Sequence, residues 1–393
     1  MNRNVWLLFC CQAMMNAVMA GQVVMSALAG HALAADKALN TLPMAIQMTA
    51  VMAGSIPAGF LFARLGRRAG FWLGIATALL GSLTFALGVS RQSFPLYCLG
   101  AVPAGMGFGV SQHLRFAAAE VAAPEARPRA IALVMTGGVV AAVVGPEIVK
   151  RTAALLPDRP FLATYLCQLA LPLLAACLLS LTALPRAERQ RGVTVPVLQI
   201  LARPTFITAA VSAMAAYGTM NLVMTSTPLQ MMLCGFGVGA SADVIRAHSL
   251  AMYLPGFLTG PLIQRVGTHP VIAAGGVLVA LCVALNVSLA PLFSTFAIAL
   301  VLLGVGWNFM FVGGTTLLTT AHTMEERVRV QVTNDVLVFG TTACAAFASG
   351  ALEATGGWEV LNLSVMPPIV VALALVGWHW AARARFARAQ GAG

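Results

Sequence analysis

The chain has 393 residues, is 59% hydrophobic and 9% charged, and carries a mean hydropathy of +0.87 and a net charge of +11. No water-soluble domain buries that much apolar surface, because interior volume grows too slowly with chain length. A transmembrane barrel is excluded too: its strands alternate apolar and polar residues over about ten positions, whereas this sequence is continuously apolar over stretches about twenty residues long.

Apolar runs separated by short polar turns predict an all-α membrane protein of twelve spans. Their limits are 5–30, 42–63, 69–89, 94–118, 129–150, 160–184, 204–233, 242–264, 270–289, 294–320, 329–350 and 360–381. The first run follows Arg3, outlasts a signal-peptide core and lacks a cleavage motif, so it reads as a span rather than a leader. The polar, basic stretch 185–203 divides the chain into six-span halves, 1–184 and 204–393. Eight cysteines (10, 11, 98, 167, 177, 234, 282 and 344) are scattered, mostly within spans, and form no Cys-x-x-Cys pair. They read as small hydrophobes rather than a disulfide framework.

Twelve spans put both termini on one side. Sixteen basic residues fall there (Arg3, Arg64, Arg67, Arg68, Arg127, Arg129, Arg186, Arg189, Arg191, Arg203, Arg265, Arg327, Arg329, Arg383, Arg385 and Arg388). Five fall opposite (Lys37, Arg91, Lys150, Arg151 and Arg159). Cytoplasmic loops attract basic residues, so both termini are expected in the cytoplasm of a bacterial inner-membrane protein. The positive charge is thereby read as membrane anchoring, not nucleic-acid binding.

The halves echo each other. Gly59-Phe-Leu-Phe-Ala-Arg64-Leu-Gly66 joins spans 2 and 3, and Gly260-Pro-Leu-Ile-Gln-Arg265-Val-Gly267 joins spans 8 and 9, at a constant offset of 201 residues. Such repeats mark secondary transporters. Gly59, Arg64, Gly66, Arg67 and Arg68 together resemble the loop motif of the major facilitator superfamily, with Ala63 standing where that family usually has Asp. The resemblance covers the whole chain and implies two six-helix halves that alternate access. Gly137-Gly138 and Gly145-Pro146 in span 5 partly resemble the family's antiporter motif. They also suit simple helix bending and packing.

Polar groups inside spans are costly and are functional candidates. They are His113 and Arg115, with Glu120, in span 4; Glu147 in span 5; Asn308 beside Trp307 in span 10; and Asp335 in span 11. His113 is a candidate for proton coupling or a secondary ligand role. Arg115 with Glu120, or Asp335 with a loop arginine, would form structural or gating pairs.

Span 7 carries Met220 and Met224, and span 8 carries His248 and Met252. Residues four apart share a helix face. The depth count levels Met224 with His248 and Met220 with Met252. Three thioethers and an imidazole suit Cu(I); core packing of ordinary methionines is the alternative. Met-x-x-x-Met with His-x-x-x-Met resembles the CcoA-type copper importers of the superfamily, which supply cbb3-type cytochrome oxidase assembly. That resemblance implies Met220, Met224, His248 and Met252 as ligands of transported copper. Cys234 is a candidate relay thiol, and Met15, Met19, Met48 and Met52 are candidate relay sulfurs in the first half. Copper is then substrate rather than cofactor, and copper chaperones are the expected partners of a monomer. Related branches carry riboflavin. The alternatives are accordingly a carrier of a small organic solute, expected to show aromatic stacking and hydrogen-bonding side chains, and a proton-coupled drug exporter, expected to depend on an acid such as Glu147. No phosphate-binding Gly-x-x-x-x-Gly-Lys-Ser/Thr motif occurs, so no ATP-driven or enzymatic role is expected.

Overall fold

The computed structural model describes residues 2–123, 126–184, 196–323 and 326–391. Among them there is no strand, and sixteen α-helices follow one another. They are α1 (Arg3–Leu33), α2 (Leu42–Ser90), α3 (Phe94–Ser111), α4 (Leu114–Val121), α5 (Arg127–Met135), α6 (Gly137–Thr152), α7 (Leu162–Gln168) and α8 (Ala170–Ser180). Then come α9 (Val197–Leu201), α10 (Pro204–Leu233), α11 (Val238–Tyr253), α12 (Gly256–Val266), α13 (Thr268–Ser288), α14 (Phe293–Leu318), α15 (Arg327–Leu363) and α16 (Met366–Gly391). Residues 185–195, most of the expected linker, lie outside the described residues.

Nine stretches of the described residues are long and apolar enough to cross a membrane. The difference from twelve has local causes. The expected span 42–63 opens α2, which continues through a non-helical Gly66 into the following span. The expected span 242–264 is divided between α11 and α12, and neither piece reaches crossing length. The last two expected spans share one stretch, Arg329–Arg383, broken at Gly357 (φ 71°) and around Ser364.

The described contacts divide into two compact units. The first is Met1–Gln190 with Met224–Leu250 and Ala346–Thr355, and the second is Arg191–Val223 with Ala251–Ala345 and Gly356–Gly393.

The first unit is built on α1. Gly145 lets α6 approach so closely that a Cβ there would meet the Ala17 carbonyl oxygen at 2.5 Å. The glycine-proline stretch of span 5 therefore serves packing against α1. Gly107 of α3 lies on the Gly74 carbonyl of α2 in the same manner, at 2.5 Å from a Cβ position. Small residues are how helices meet tightly where lipid offers no hydrophobic drive. Buried Val5, Leu8, Phe62, Phe71, Val134 and Leu179 fill the core between these helices.

The loop motif is pinned inside this unit. Arg67 reaches both carboxylate oxygens of Glu120, with Nε to Oε2 at 3.0 Å, and lies 4.9 Å from the Phe62 ring centre. Arg68 donates to the Ser180 carbonyl at 3.0 Å. The surroundings of Gly59 and Ala63 lie outside the described residues.

The second unit repeats the device. A Cβ on Gly306 of α14 would meet the Gly275 carbonyl of α13 at 2.8 Å. The backbone of Gly267 (φ 89°, ψ 166°) matches that of Gly66 (φ 82°, ψ 159°) 201 residues earlier. Both sit in a region of backbone space open essentially to glycine alone, so the sequence echo is also a conformational one.

Candidate functional site

In the second unit four helices bring five aromatic rings together. Tyr217 on α10 meets Trp307 on α14 edge-to-face at 5.1 Å, Phe311 at 4.9 Å, and Phe339 on α15 at 6.1 Å. Trp307 stacks on Phe311, one turn further along, at 5.1 Å and 18°. Tyr253, the last residue of α11, lies 6.4 Å from Trp307. Tyr217, Tyr253, Phe311 and Phe339 are half-buried, while Trp307 is buried. Gly218 admits α15 beside α10, since a Cβ there would touch the Thr341 methyl at 3.0 Å.

A helix break lies beside these rings. Pro255 has no N–H to donate, and α11 stops at Tyr253 while α12 restarts at Gly256. Backbone groups freed inside a membrane must find partners. Asn308 supplies one: its Nδ2 donates to the Met252 carbonyl at 2.7 Å, and its Oδ1 accepts from Thr259 at 2.6 Å. Thr259 also donates to the Pro255 carbonyl at 2.8 Å. Asn308, expected to serve coupling or gating, thus holds the break against α14.

The first unit carries amides instead of a ring cluster. Asn16 accepts from Gln12 at 2.8 Å and from Gln112 at 3.4 Å. Gln22, Tyr97 and Tyr165 close a buried triangle, with the two hydroxyls 2.6 Å apart. Gln47 donates to the Met19 sulfur at 3.3 Å.

The four expected copper ligands are all buried: His248 completely, Met220, Met224 and Met252 at 5%, 7% and 8% exposed. Met220 and Met252 belong to the second unit, Met224 and His248 to the first. Among the described residues no group of three His, Cys, Asp or Glu converges as a metal cluster would. Cys234 follows the end of α10 and accepts from Gln230 at 3.6 Å. Met15 is packed in the core with Cys11, Phe71 and Leu114. Met15 and Met19 line a small void with Gln47 and Phe108. Met48 is buried and Met52 half-buried.

The charged candidates are rearranged relative to the sequence reading. Glu120 pairs with Arg67, not with Arg115, which lies instead over the Phe116 ring at 4.9 Å. The reason is reach: Arg67 enters from a different helix with its fork aligned on the carboxylate, which a neighbour on α4 cannot do. His113 caps α4 and contacts the rings of Phe62 and Phe116. Asp335 is exposed on α15. Glu147 is the centre of an ion-pair chain, 2.6 Å from Arg151 and 3.1 Å from Arg246. Asp243 joins that chain by pairing with Arg246 and with Lys150, the latter at 2.7 Å.

Sequence reasoning passed over Tyr217, Tyr253, Phe311 and Phe339. The four-residue spacing of Trp307 and Phe311 was available as a signal, but rings on four separate segments become neighbours only on folding. It also passed over Glu353, a carboxylate 9% exposed on α15, one turn beyond Ser349, whose hydroxyl pairs with Ser226 at 2.6 Å.

The family model of the Major Facilitator Superfamily matches residues 5–255. The chain belongs to the Major Facilitator Superfamily. Within it, the chain is 36% identical over 378 residues to the riboflavin transporter RfnT of Brucella anthropi, covering 95% of this chain and 94% of that one. It is 29% identical over 336 residues to YddS of Bacillus subtilis, an uncharacterised transporter of the same superfamily, covering 81% and 77%. Solved structures share the fold: a POT family transporter in complex with 5-aminolevulinic acid superposes with a TM-score of 0.76 at 11% identity, covering 96% of each chain. A D-xylose–proton symporter superposes with a TM-score of 0.70 at 12% identity, covering 94% and 96%. The chain is therefore a multi-pass membrane transporter of the superfamily, and nothing points to catalysis. The resemblance to copper importers rested on four side chains. The whole-chain relative is named for a vitamin, so the copper assignment gains no support from it.

Proposed function

We propose that this chain is a secondary carrier for a small planar organic solute, riboflavin or a close analogue, working by alternating access. The observation that carries the reading is the 36% identity with a riboflavin transporter over 95% of the chain. The rings of Tyr217, Tyr253, Trp307, Phe311 and Phe339 support it independently, because flat aromatic faces hold a conjugated ring through offset and edge-on contacts. They also satisfy the expectation attached to an organic-solute carrier: stacking groups with hydrogen-bonding side chains in the same unit. The break between α11 and α12 belongs to the same picture, since discontinuous helices recur at transporter binding sites.

By the distribution of basic residues, both termini lie in the cytoplasm of a bacterial inner membrane, and the six-span halves 1–184 and 204–393 are the moving parts. A drug exporter resting on Glu147 is less well supported, because Glu147 is engaged by two arginines. Copper import through Met220, Met224, His248 and Met252 rests on spacing alone.

The test is uptake of radiolabelled riboflavin by a riboflavin-auxotrophic bacterium lacking its own importer, with and without this chain. Saturable uptake and growth on low riboflavin are expected. Absence of both, with the protein present in the membrane, overturns the reading.

A further inference from the structure

We propose that the indole N–H of Trp307 is the specificity-determining donor of a planar heteroaromatic site in the second unit, pairing with a ring nitrogen of the solute. The proposal rests on the carrier reading above and names what its aromatic site selects. Trp307 is 5% exposed, yet its Nε1 has no hydrogen-bond partner among the described residues. Buried indole N–H groups almost always find an acceptor, so an orphan inside a ring cluster points to an absent one. The adjacent polar side chain cannot supply it: the Asn308 oxygen already accepts from Thr259, and its amide is committed to the Met252 carbonyl. The other neighbours of the indole are the rings of Tyr217, Tyr253 and Phe311.

Two demands follow for the ligand. It must present a flat face or edge to surrounding rings, and a lone pair in its own plane to the indole. A conjugated nitrogen heterocycle meets both. A saturated sugar lacks the face. A metal cation has no lone pair to offer and would meet the positive end of the N–H dipole.

The experiment uses the full chain in proteoliposomes, comparing wild type with Trp307→Phe, which keeps a ring but removes the donor. Riboflavin, 1-deazariboflavin and 5-deazariboflavin compete for uptake; each deaza analogue replaces one acceptor nitrogen by C–H. One buried hydrogen bond corresponds to about tenfold in affinity. In wild type, one deaza analogue is expected to compete about tenfold less well than riboflavin. In Trp307→Phe, the KM for riboflavin should rise about tenfold with the maximal rate retained, and that discrimination should vanish. The melting temperature of the empty variant should not fall, since no partner is lost; a purely structural tryptophan would lower it. Equal ranking of the three flavins in both proteins overturns the proposal. If wild type takes up no riboflavin, the carrier reading fails separately. Quenching of tryptophan fluorescence by riboflavin, a pterin and a purine then decides this inference, and quenching by none of them, or equal quenching in the variant, overturns it.

Discussion

Met220, Met224 and Met252 are more than nine-tenths buried, and His248 is wholly so. Burial at this level is what core methionines show anywhere, because the unbranched thioether fills irregular gaps. A spacing of four on two helices therefore reports a shared face, not a shared ligand. Leucine conserves methionine volume, and such exchanges usually cost less than about 1.5 kcal/mol. Met220→Leu and Met224→Leu are accordingly expected to leave riboflavin uptake within about twofold of wild type and cellular copper unchanged. Measuring both in the same cells, at equal membrane abundance, checks this. A fall in copper content would restore the metal reading. Trp307 presents the opposite case: its neighbours in sequence are unremarkable, and its unpaired N–H becomes visible only with its surroundings in place.

The elements show where sequence pattern and backbone agree. Gly66 and Gly267 were legible as a repeat, and both adopt φ above 80° with ψ near the extended limit. No Cβ clash from neighbours stands at Gly66, where nothing lies within 4 Å. Only the backbone conformation resists substitution there. Gly66→Ala and Gly267→Ala should each lower stability by about 1–3 kcal/mol, measurable as a drop in the melting temperature of detergent-solubilised protein. A harmless alanine at either position would refute the backbone argument. The α11–α12 break was less legible. Pro255 marked it, but apolar residues on both sides read as one continuous span, and the Asn308 hydrogen bonds that stabilise the interruption come from α14.

At the scale of the whole molecule, long-range ion pairs tie distant sequence together. Arg203 grips Glu326 through two bonds of 2.7 Å across 123 residues. That fork, aided by the Thr323 backbone N–H, holds the Glu326 carboxyl down at about 2, from an ordinary 4.5. A depressed carboxylate stabilises the folded state fully above pH 4.5 and loses that contribution as pH falls from 4.5 towards 2. Wild type should therefore lose more melting temperature between pH 6 and pH 3 than Glu326→Gln does. Equal losses would show that the pair contributes nothing in this range. Arg67 with Glu120 is the corresponding fork of the first unit. It binds the loop motif to α4, although Ala63 removes the acid expected one position before Arg64.

The sequence by itself determined the solvent and the class. An apolar fraction of 59% with 9% charge leaves only a helical membrane protein, because every backbone polar group in lipid must be satisfied within its own segment. The 201-residue echo and the loop motif then led to the superfamily. Tertiary structure decided the partners of side chains: Glu120 with Arg67, Glu147 with Arg246, Asn308 with the helix break, and five rings around Trp307. Helical periodicity fixes which residues share a face, but the neighbour across that face depends on packing between segments far apart in the chain. A pattern of four residues on two spans could therefore suggest a metal site, while the aromatic site, drawn from four helices, had no local signature.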